Sequence, residues 1–89
     1  MAEADEPTGS EEARRDQLVL GRTLRTLRKQ SGMTQEELAA KAGTMSYYIS
    51  LIENGHRGLR WHMVMRLLRA MDIGPAEFGA EVERHLSSE

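Results

Sequence analysis

The residues most able to carry catalytic or metal chemistry are few and scattered. The chain contains no cysteine, which excludes thiolate metal ligands and a cysteine nucleophile. The three histidines, His56, His62 and His85, lack the spacing of a metal site and are expected to be surface imidazoles. Glu36 and Glu37 fit a helix cap better than an acid–base pair, and the sequence has no glycine-rich phosphate loop. We therefore expect no enzyme activity, no bound metal and no cofactor.

Charge is distributed unevenly along the 89 residues, which are enough for one small domain. Residues 1–12 carry five acidic side chains and no base, and residues 76–89 carry four acidic side chains and one arginine. The segment 13–75 therefore has a net charge of +6, although the whole chain has −2. A basic centre suits a polyanionic partner, but a set of solvated surface charges explains the pattern equally well.

The amino-terminal residues differ from the rest in composition. Residues 1–12 combine acidic side chains with Pro, Gly and Ser and show no apolar periodicity, which predicts a disordered acidic tail. An acidic start does not resemble a signal peptide. The longest apolar runs, of three or four residues, are too short to span a membrane. We therefore expect a cytoplasmic protein without a membrane segment.

Apolar residues recur at helical spacing through the rest of the chain. Leu20, Leu24 and Leu27 predict a first helix, and a Thr-x-x-Glu capping box at Thr34 predicts the start of a second. The predicted elements are a first helix that ends near Ser31-Gly32, a second from Thr34 to Gly43, a third over 45–53, a fourth over 59–71 and a fifth after Gly74-Pro75. No segment alternates with period two, so the predicted class is all-α with four to five short helices.

Residues 34–55 carry the features of a helix-turn-helix motif. Ala39 is small at the point where two helices are expected to cross closely. Gly43 lies where the turn is expected to require positive φ, which costs glycine nothing. The residues predicted to point inward and hold the crossing angle are Leu38, Ile49 and Ile52.

The stretch 20–73 resembles the phage repressor and Cro type of helix-turn-helix domain, also called the xenobiotic-response-element family. The matching features are Leu20-Gly21, Leu24, Leu27-Arg28, GMTQEELA at 32–39, Gly43, Ile49-Ser50 and IENG at 52–55. The resemblance implies a lambda-repressor-like DNA-binding domain over residues 13–75, whose third helix enters the major groove of double-stranded DNA. Residues 76–89 would then form a C-terminal helix, a possible dimerisation element.

Carried over position by position, the resemblance implies two sets of DNA contacts and one structural pair. The base-reading set is Met45, Ser46, Tyr47, Ser50 and Leu51. The phosphate set is Gln35, Tyr48, Asn54, Arg57 and Arg60, of which Tyr48 is equally suited to packing. The pair Arg28 and Glu53 corresponds to one that forms an internal salt bridge in such domains.

Three positions carry expectations of their own. Met45 cannot cap the third helix with its side chain, so Thr44 or Ser46 is expected to do so. Leu51 is apolar, which suits contact with a thymine methyl group or with a protein. Trp61 is expected in the core.

These features favour a sequence-specific transcriptional regulator that binds operator DNA as a homodimer. Two alternatives stay open. One is an antitoxin that represses its own toxin–antitoxin operon, with a toxin or co-regulator as partner. The other is a protein-interaction module of the same fold that uses Met45, Tyr47 and Leu51 as its contact face. The apolar stripe Phe78, Val82 and Leu86 is expected either to dimerise or to fold back on the fourth helix of its own chain.

Overall fold

Five α-helices make up residues 10–88, the part of the chain that the computed structural model describes. Their bounds are α1 Glu11–Gln30, α2 Gln35–Ala42, α3 Ser46–Glu53, α4 Trp61–Met71 and α5 Pro75–Ser87. No strand occurs between residues 10 and 88, and the predicted all-α, lambda-repressor-like class is confirmed. None of these five helices is long and apolar enough to cross a membrane.

The first helix begins before the position that the apolar pattern indicates. The hydroxyl of Ser10 accepts a hydrogen bond from the amide of Ala13, 3.0 Å away, and so caps α1. Glu11 and Glu12 lie in the first turn, where a negative charge interacts favourably with the helix dipole. The prediction of a disordered tail over residues 1–12 is therefore wrong for Glu11 and Glu12, and residues 1–9 lie outside the described part of the chain.

The core is assembled from the apolar faces of the first four helices. Its buried members are Leu24, Leu27, Leu38, Ala39, Ala42, Ile49, Ile52, Val64, Leu67, Leu68 and Met71. Burying a side chain the size of leucine or isoleucine stabilises the fold by about 1.5–3 kcal/mol. The predicted inward residues of the helix-turn-helix motif, Leu38, Ile49 and Ile52, all lie in this core, as does Ala39 at the helix crossing.

Gly21 lets α1 cross the end of α3 at backbone distance. A Cβ atom built on Gly21 would lie 2.9 Å from the carbonyl oxygen of Glu53 and closer still to that of Ile52. Real Cβ atoms do not approach backbone oxygen so closely, and backbone cannot move aside as a flexible side chain can. Glycine is therefore required at this position for the close packing of α1 on α3.

The C-terminal helix folds back on its own chain, and its main neighbour is α1 rather than α4. Phe78 and Val82 are half-buried beside Val19 and Leu20 of α1. Leu86, at the end of the same stripe, is 50% exposed. The stripe lies mainly on α1, so the expectation that a folded-back stripe would lie on the fourth helix is wrong.

A polar cluster fixes α5 on α1. Glu81 is buried, and its Oε1 atom accepts a hydrogen bond from Nε of Arg84 at 3.1 Å. Nε2 of His85 lies 3.2 Å from Oε2 of Glu81 and 3.2 Å from Oγ1 of Thr26. The expectation that His85 is a surface imidazole is wrong, because its position on α5 faces α1.

The other two histidines, His56 and His62, are exposed. Within residues 10–88, no group of three His, Cys, Asp or Glu side chains is placed to hold a metal ion.

Trp61 does not lie in the core. It occupies the first turn of α4 and is 61% exposed. The residues one and two turns further along, Val64 and Leu68, are buried. The apolar spacing therefore predicts the buried face of α4 from Val64 onward, but not the exposure of its first residue.

Candidate nucleic-acid interface

The turn between α2 and α3 has the geometry that the sequence predicts. The Thr34 hydroxyl accepts a hydrogen bond from the Glu37 amide at 3.0 Å, and the Glu37 carboxylate accepts one from the Thr34 amide at 2.9 Å. These reciprocal bonds form a capping box at the start of α2. At the other end, Gly43 adopts φ 74° and ψ 36°, a left-handed conformation that few other residues tolerate. The turn therefore directs the chain from α2 into α3 at a defined angle.

The start of α3 is closed by backbone alone. Met45 occupies the N-cap position, and its side chain makes no capping hydrogen bond. The amides of Tyr48 and Ile49 donate to the Met45 carbonyl oxygen at 3.0 and 3.2 Å. The expectation that Thr44 or Ser46 caps this helix is wrong, because the extended residue just before the helix is Met45 itself.

One face of α3 points away from the protein. Ile49, Ile52 and Glu53 are buried against the other helices. Of the predicted base-reading residues, Tyr47, Ser50 and Leu51 lie on the opposite side, whereas Met45 and Ser46 lie at the start of the helix. Met45 and Tyr47 are each 68% exposed, and the other three are partly exposed. The structure therefore brings the five predicted residues together on one accessible surface, which we call the recognition face.

A buried ion pair holds the C-terminal end of α3. Nε and Nη2 of Arg28 donate to Oε2 and Oε1 of Glu53 at 2.6 and 2.9 Å, and the two side chains are 9% and 2% exposed. Nη1 of Arg28 also donates to the Met33 carbonyl oxygen at 2.8 Å. The hydrogen bond to Glu53 raises the pKa of Arg28 although burial lowers it. The pair thus fixes α3 against α1.

Gln35 lies beside this ion pair, at the start of α2. Its Nε2 atom donates to Oε1 of Glu53 at 3.0 Å, so the side chain is held at the junction of three helices. Its predicted contact with phosphate stays a prediction. In the structure, the Gln35 side-chain amide is held by its hydrogen bond to the buried Glu53.

The segment after α3 places the other predicted phosphate-binding residues. Asn54 ends the helix, and its Nδ2 atom lies 3.4 Å from Oγ of Ser50. The guanidinium carbon of Arg57 lies 5.0 Å from the centre of the Tyr48 ring, within range of a cation–π interaction. Arg57 and Arg60 are exposed. Tyr48 is partly buried against the core. It therefore packs against the protein and also contacts the Arg57 guanidinium group with its ring.

Two features of this surface do not follow from the sequence reasoning. Gly21 is part of the family pattern, but nothing in its neighbours indicates contact with backbone of α3. The ring contact between Tyr48 and Arg57 joins residues nine positions apart across a loop, and sequence spacing does not predict loop conformation. In the sequence, the excess of arginine in the middle of the chain is the feature that points towards the contact between Arg57 and Tyr48.

Comparison with known proteins shows where this arrangement recurs. The family model described as "Helix-turn-helix domain" matches residues 19–80. An uncharacterised HTH-type transcriptional regulator of Sinorhizobium fredii, y4dJ, is 30% identical over 59 residues, which cover 66% of this chain and 77% of that protein.

Solved structures of similar fold include two restriction-modification controller proteins of at least 25% identity. The restriction-modification controller protein C.AhdI from Aeromonas hydrophila is 32% identical, with a TM-score of 0.71, over 76% of this chain and 99% of the other. The controller protein C.Esp1396I, solved as a tetramer in complex with its natural 35 base-pair operator, is 25% identical, with a TM-score of 0.73, over 78% and 91%. The chain therefore belongs to the helix-turn-helix family of transcriptional regulators.

Proposed function

We propose that this regulator binds operator DNA as a homodimer in the cytoplasm, with α3 of each copy in the major groove. The observation that carries the proposal is the recognition face. Its five side chains are at least partly exposed on a short helix whose other side is buried and held by the Arg28–Glu53 pair. A rigid helix with an accessible polar and aromatic face is what base reading in the major groove requires.

The two predicted contact sets then have separate roles. Ser46, Tyr47 and Ser50 supply hydroxyl groups for base edges, and Met45 and Leu51 supply apolar contact for thymine methyl groups. Phosphate binding, which positions the protein without reading sequence, falls to residues around the helix. These are Gln35, Tyr48, Asn54, Arg57 and Arg60. Because α3 contains no lysine or arginine, electrostatic attraction has to come from outside the helix, and in this set Arg57 and Arg60 carry the positive charge.

Self-association is the second part of the proposal. Two copies would place their recognition helices about one DNA turn, ~34 Å, apart on a partly symmetric operator. The neighbour C.Esp1396I is described as a tetramer on its operator. In this chain, a shallow apolar cleft between α1 and α5 ends at the half-exposed Leu86, and we propose that a second copy covers it.

The experiment that tests the DNA-binding proposal begins with selection of duplexes from a random pool by the full chain. We expect an enriched, partly symmetric sequence. Tyr47→Ala should then weaken binding to the selected duplex by about 1–3 kcal/mol, the value of a good base contact. Binding to scrambled duplex and the melting temperature should stay nearly unchanged, because Tyr47 is largely exposed.

A matched control separates the ring from its hydroxyl group. Tyr47→Phe keeps the aromatic surface and removes one hydrogen-bonding group, so it should lose part of the specificity that Tyr47→Ala loses. No enriched sequence, together with a weak dependence of binding on salt, would contradict the proposal. That result would favour a protein-interaction role for the recognition face, since duplex binding through several phosphates depends steeply on salt.

A further inference from the structure

One exposed face of α1 carries a row of basic side chains. Arg14, Arg15, Arg25 and Lys29 are all exposed, and their spacing places them on the same side of the helix. Arg22 lies in the same row and has an interaction of its own. Glu11, at the helix N-terminus, is the only acidic residue of α1 on this side; Glu12 and Asp16 lie on another. We call this row the basic face of α1.

The basic face adjoins the end of the recognition helix. A Cβ atom on Gly55 would lie 2.5 Å from Cδ2 of Leu18, and one on Gly58 would lie 3.3 Å from Nε2 of Gln17. Leu18 and Gln17 therefore cover the segment that follows α3, where Asn54 and Arg57 are proposed to meet phosphate. The amino-terminal half of α1 thus runs alongside the proposed DNA backbone contact.

Arg14 and Arg15 lie about one helical turn, ~5.4 Å, before Leu18. They line, with Glu11, Leu18 and Arg22, a shallow depression of about 510 Å³ on the surface. Among the described residues, neither Arg14 nor Arg15 forms an ion pair or a hydrogen bond through its side chain. Two exposed guanidinium groups side by side are well suited to phosphate oxygens.

We propose that Arg14 and Arg15 bind backbone phosphates of the same duplex, beyond the base pairs that α3 reads. This inference rests on the proposed function and extends its footprint. Both residues precede the stretch 19–80 that the family model matches, so they add a contact outside the matched domain. A duplex fits this face better than an acidic protein does, because the face lies beside the segment after α3 that is proposed to meet phosphate.

The test compares the wild-type chain with the double variant Arg14→Gln/Arg15→Gln on two duplexes. Both contain the sequence that the wild-type chain selects, and one ends at the last selected base pair whereas the other extends about 10 base pairs further at each end. Wild type should bind the longer duplex more tightly, and the double variant should lose most of that gain. On the longer duplex, the slope of log affinity against log salt should become shallower by about 0.9 for each phosphate that the double variant no longer neutralises.

Two controls make the result specific. Arg69→Gln removes an exposed basic side chain from the last turn of α4. It should change neither the effect of duplex length on affinity nor the salt slope. Tyr47→Ala should lose sequence preference and keep the length effect. Circular dichroism and thermal melting should show that the double variant folds as wild type does, since both replaced side chains are exposed.

The outcomes distinguish this inference from the proposal on which it rests. If the wild-type chain selects a sequence but gains nothing from the longer duplex, or gains only as much as the double variant does, the phosphate contact is refuted and the operator-binding function stands. If the wild-type chain selects no sequence at all, both proposals fail together.

Discussion

At the residue scale, Glu53 is the point where three helices meet. Its carboxylate accepts hydrogen bonds from Arg28 of α1 and from Gln35 of α2, while Glu53 itself ends α3. A carboxylate at the C-terminus of a helix is unfavourable for the helix dipole, so its presence there needs compensation. The Arg28 guanidinium compensates for this by donating two short hydrogen bonds to the Glu53 carboxylate. One buried carboxylate thus sets the position of the recognition helix.

Glu53→Gln should therefore destabilise the protein strongly. The substitution keeps the shape of the side chain but leaves the buried Arg28 charge without its partner, a change that costs about 3–5 kcal/mol. A domain of this size has about 5–15 kcal/mol in total, so chemical denaturation should show a large decrease in unfolding free energy. DNA binding should weaken as α3 loses its anchor.

The matched control for this decrease is Glu83→Gln, which removes an exposed carboxylate on α5 and should stay within about 0.5 kcal/mol of wild type. Equal stability of the Glu53 and Glu83 variants would mean that the buried pair contributes nothing to the fold.

At the element scale, local signals predict where helices begin and end. The capping box at Thr34 and the left-handed Gly43 are read from a few adjacent residues, and both occur in the structure. The outward side of α3 is equally accessible to sequence reasoning, because its inward side is marked by Ile49 and Ile52. Helical spacing and turn chemistry are local properties, so one sequence is enough to indicate them.

Two of the errors at this scale, at Trp61 and at His85, share a cause. Trp61 continues an apolar spacing but is largely exposed, and His85 faces α1 only because α5 folds back onto it. Both outcomes depend on how whole helices are placed relative to one another. Spacing within one helix shows which residues share a face, and not which neighbour that face meets.

Gly21→Ala tests the most demanding of these helix contacts. Alanine normally stabilises a helix interior by about 0.5–1 kcal/mol relative to glycine, but here the added methyl group meets backbone oxygens of α3. Overpacking of this kind costs about 1–3 kcal/mol, so thermal and urea unfolding should show net destabilisation.

Gly79→Ala is the control for this variant, because a Cβ atom on Gly79 in α5 would meet no atom within 4 Å beyond its chain neighbours and its own helix backbone. That variant should gain stability from helix propensity alone. Two substitutions of the same kind are thus expected to act with opposite sign. If Gly21→Ala is as stable as Gly79→Ala, the packing of α1 on α3 is looser than the structure describes.

At the scale of the whole molecule, α1 joins the proposed DNA-binding and self-association surfaces. It contacts α3 near Gly21 and α5 along the cleft that ends at Leu86. Its 20 residues extend about 30 Å at roughly 1.5 Å per residue, close to one turn of DNA. A second copy docked on α5 would therefore be held at a fixed position relative to the recognition helix.

Leu86→Gln should weaken this self-association and leave the protomer folded. Half of the Leu86 surface is exposed in the single chain. A second copy would bury this exposed half, and each copy of the dimer would contribute one Leu86. Removing about 1 kcal/mol of apolar burial per copy would raise the dissociation constant of the dimer more than tenfold, which sedimentation equilibrium can measure. Met45→Gln, an exposed change at the N-cap of α3, should weaken DNA binding without this shift. If the unsubstituted 89-residue chain stays monomeric at high micromolar concentration without DNA, the α1–α5 cleft is not a dimer interface.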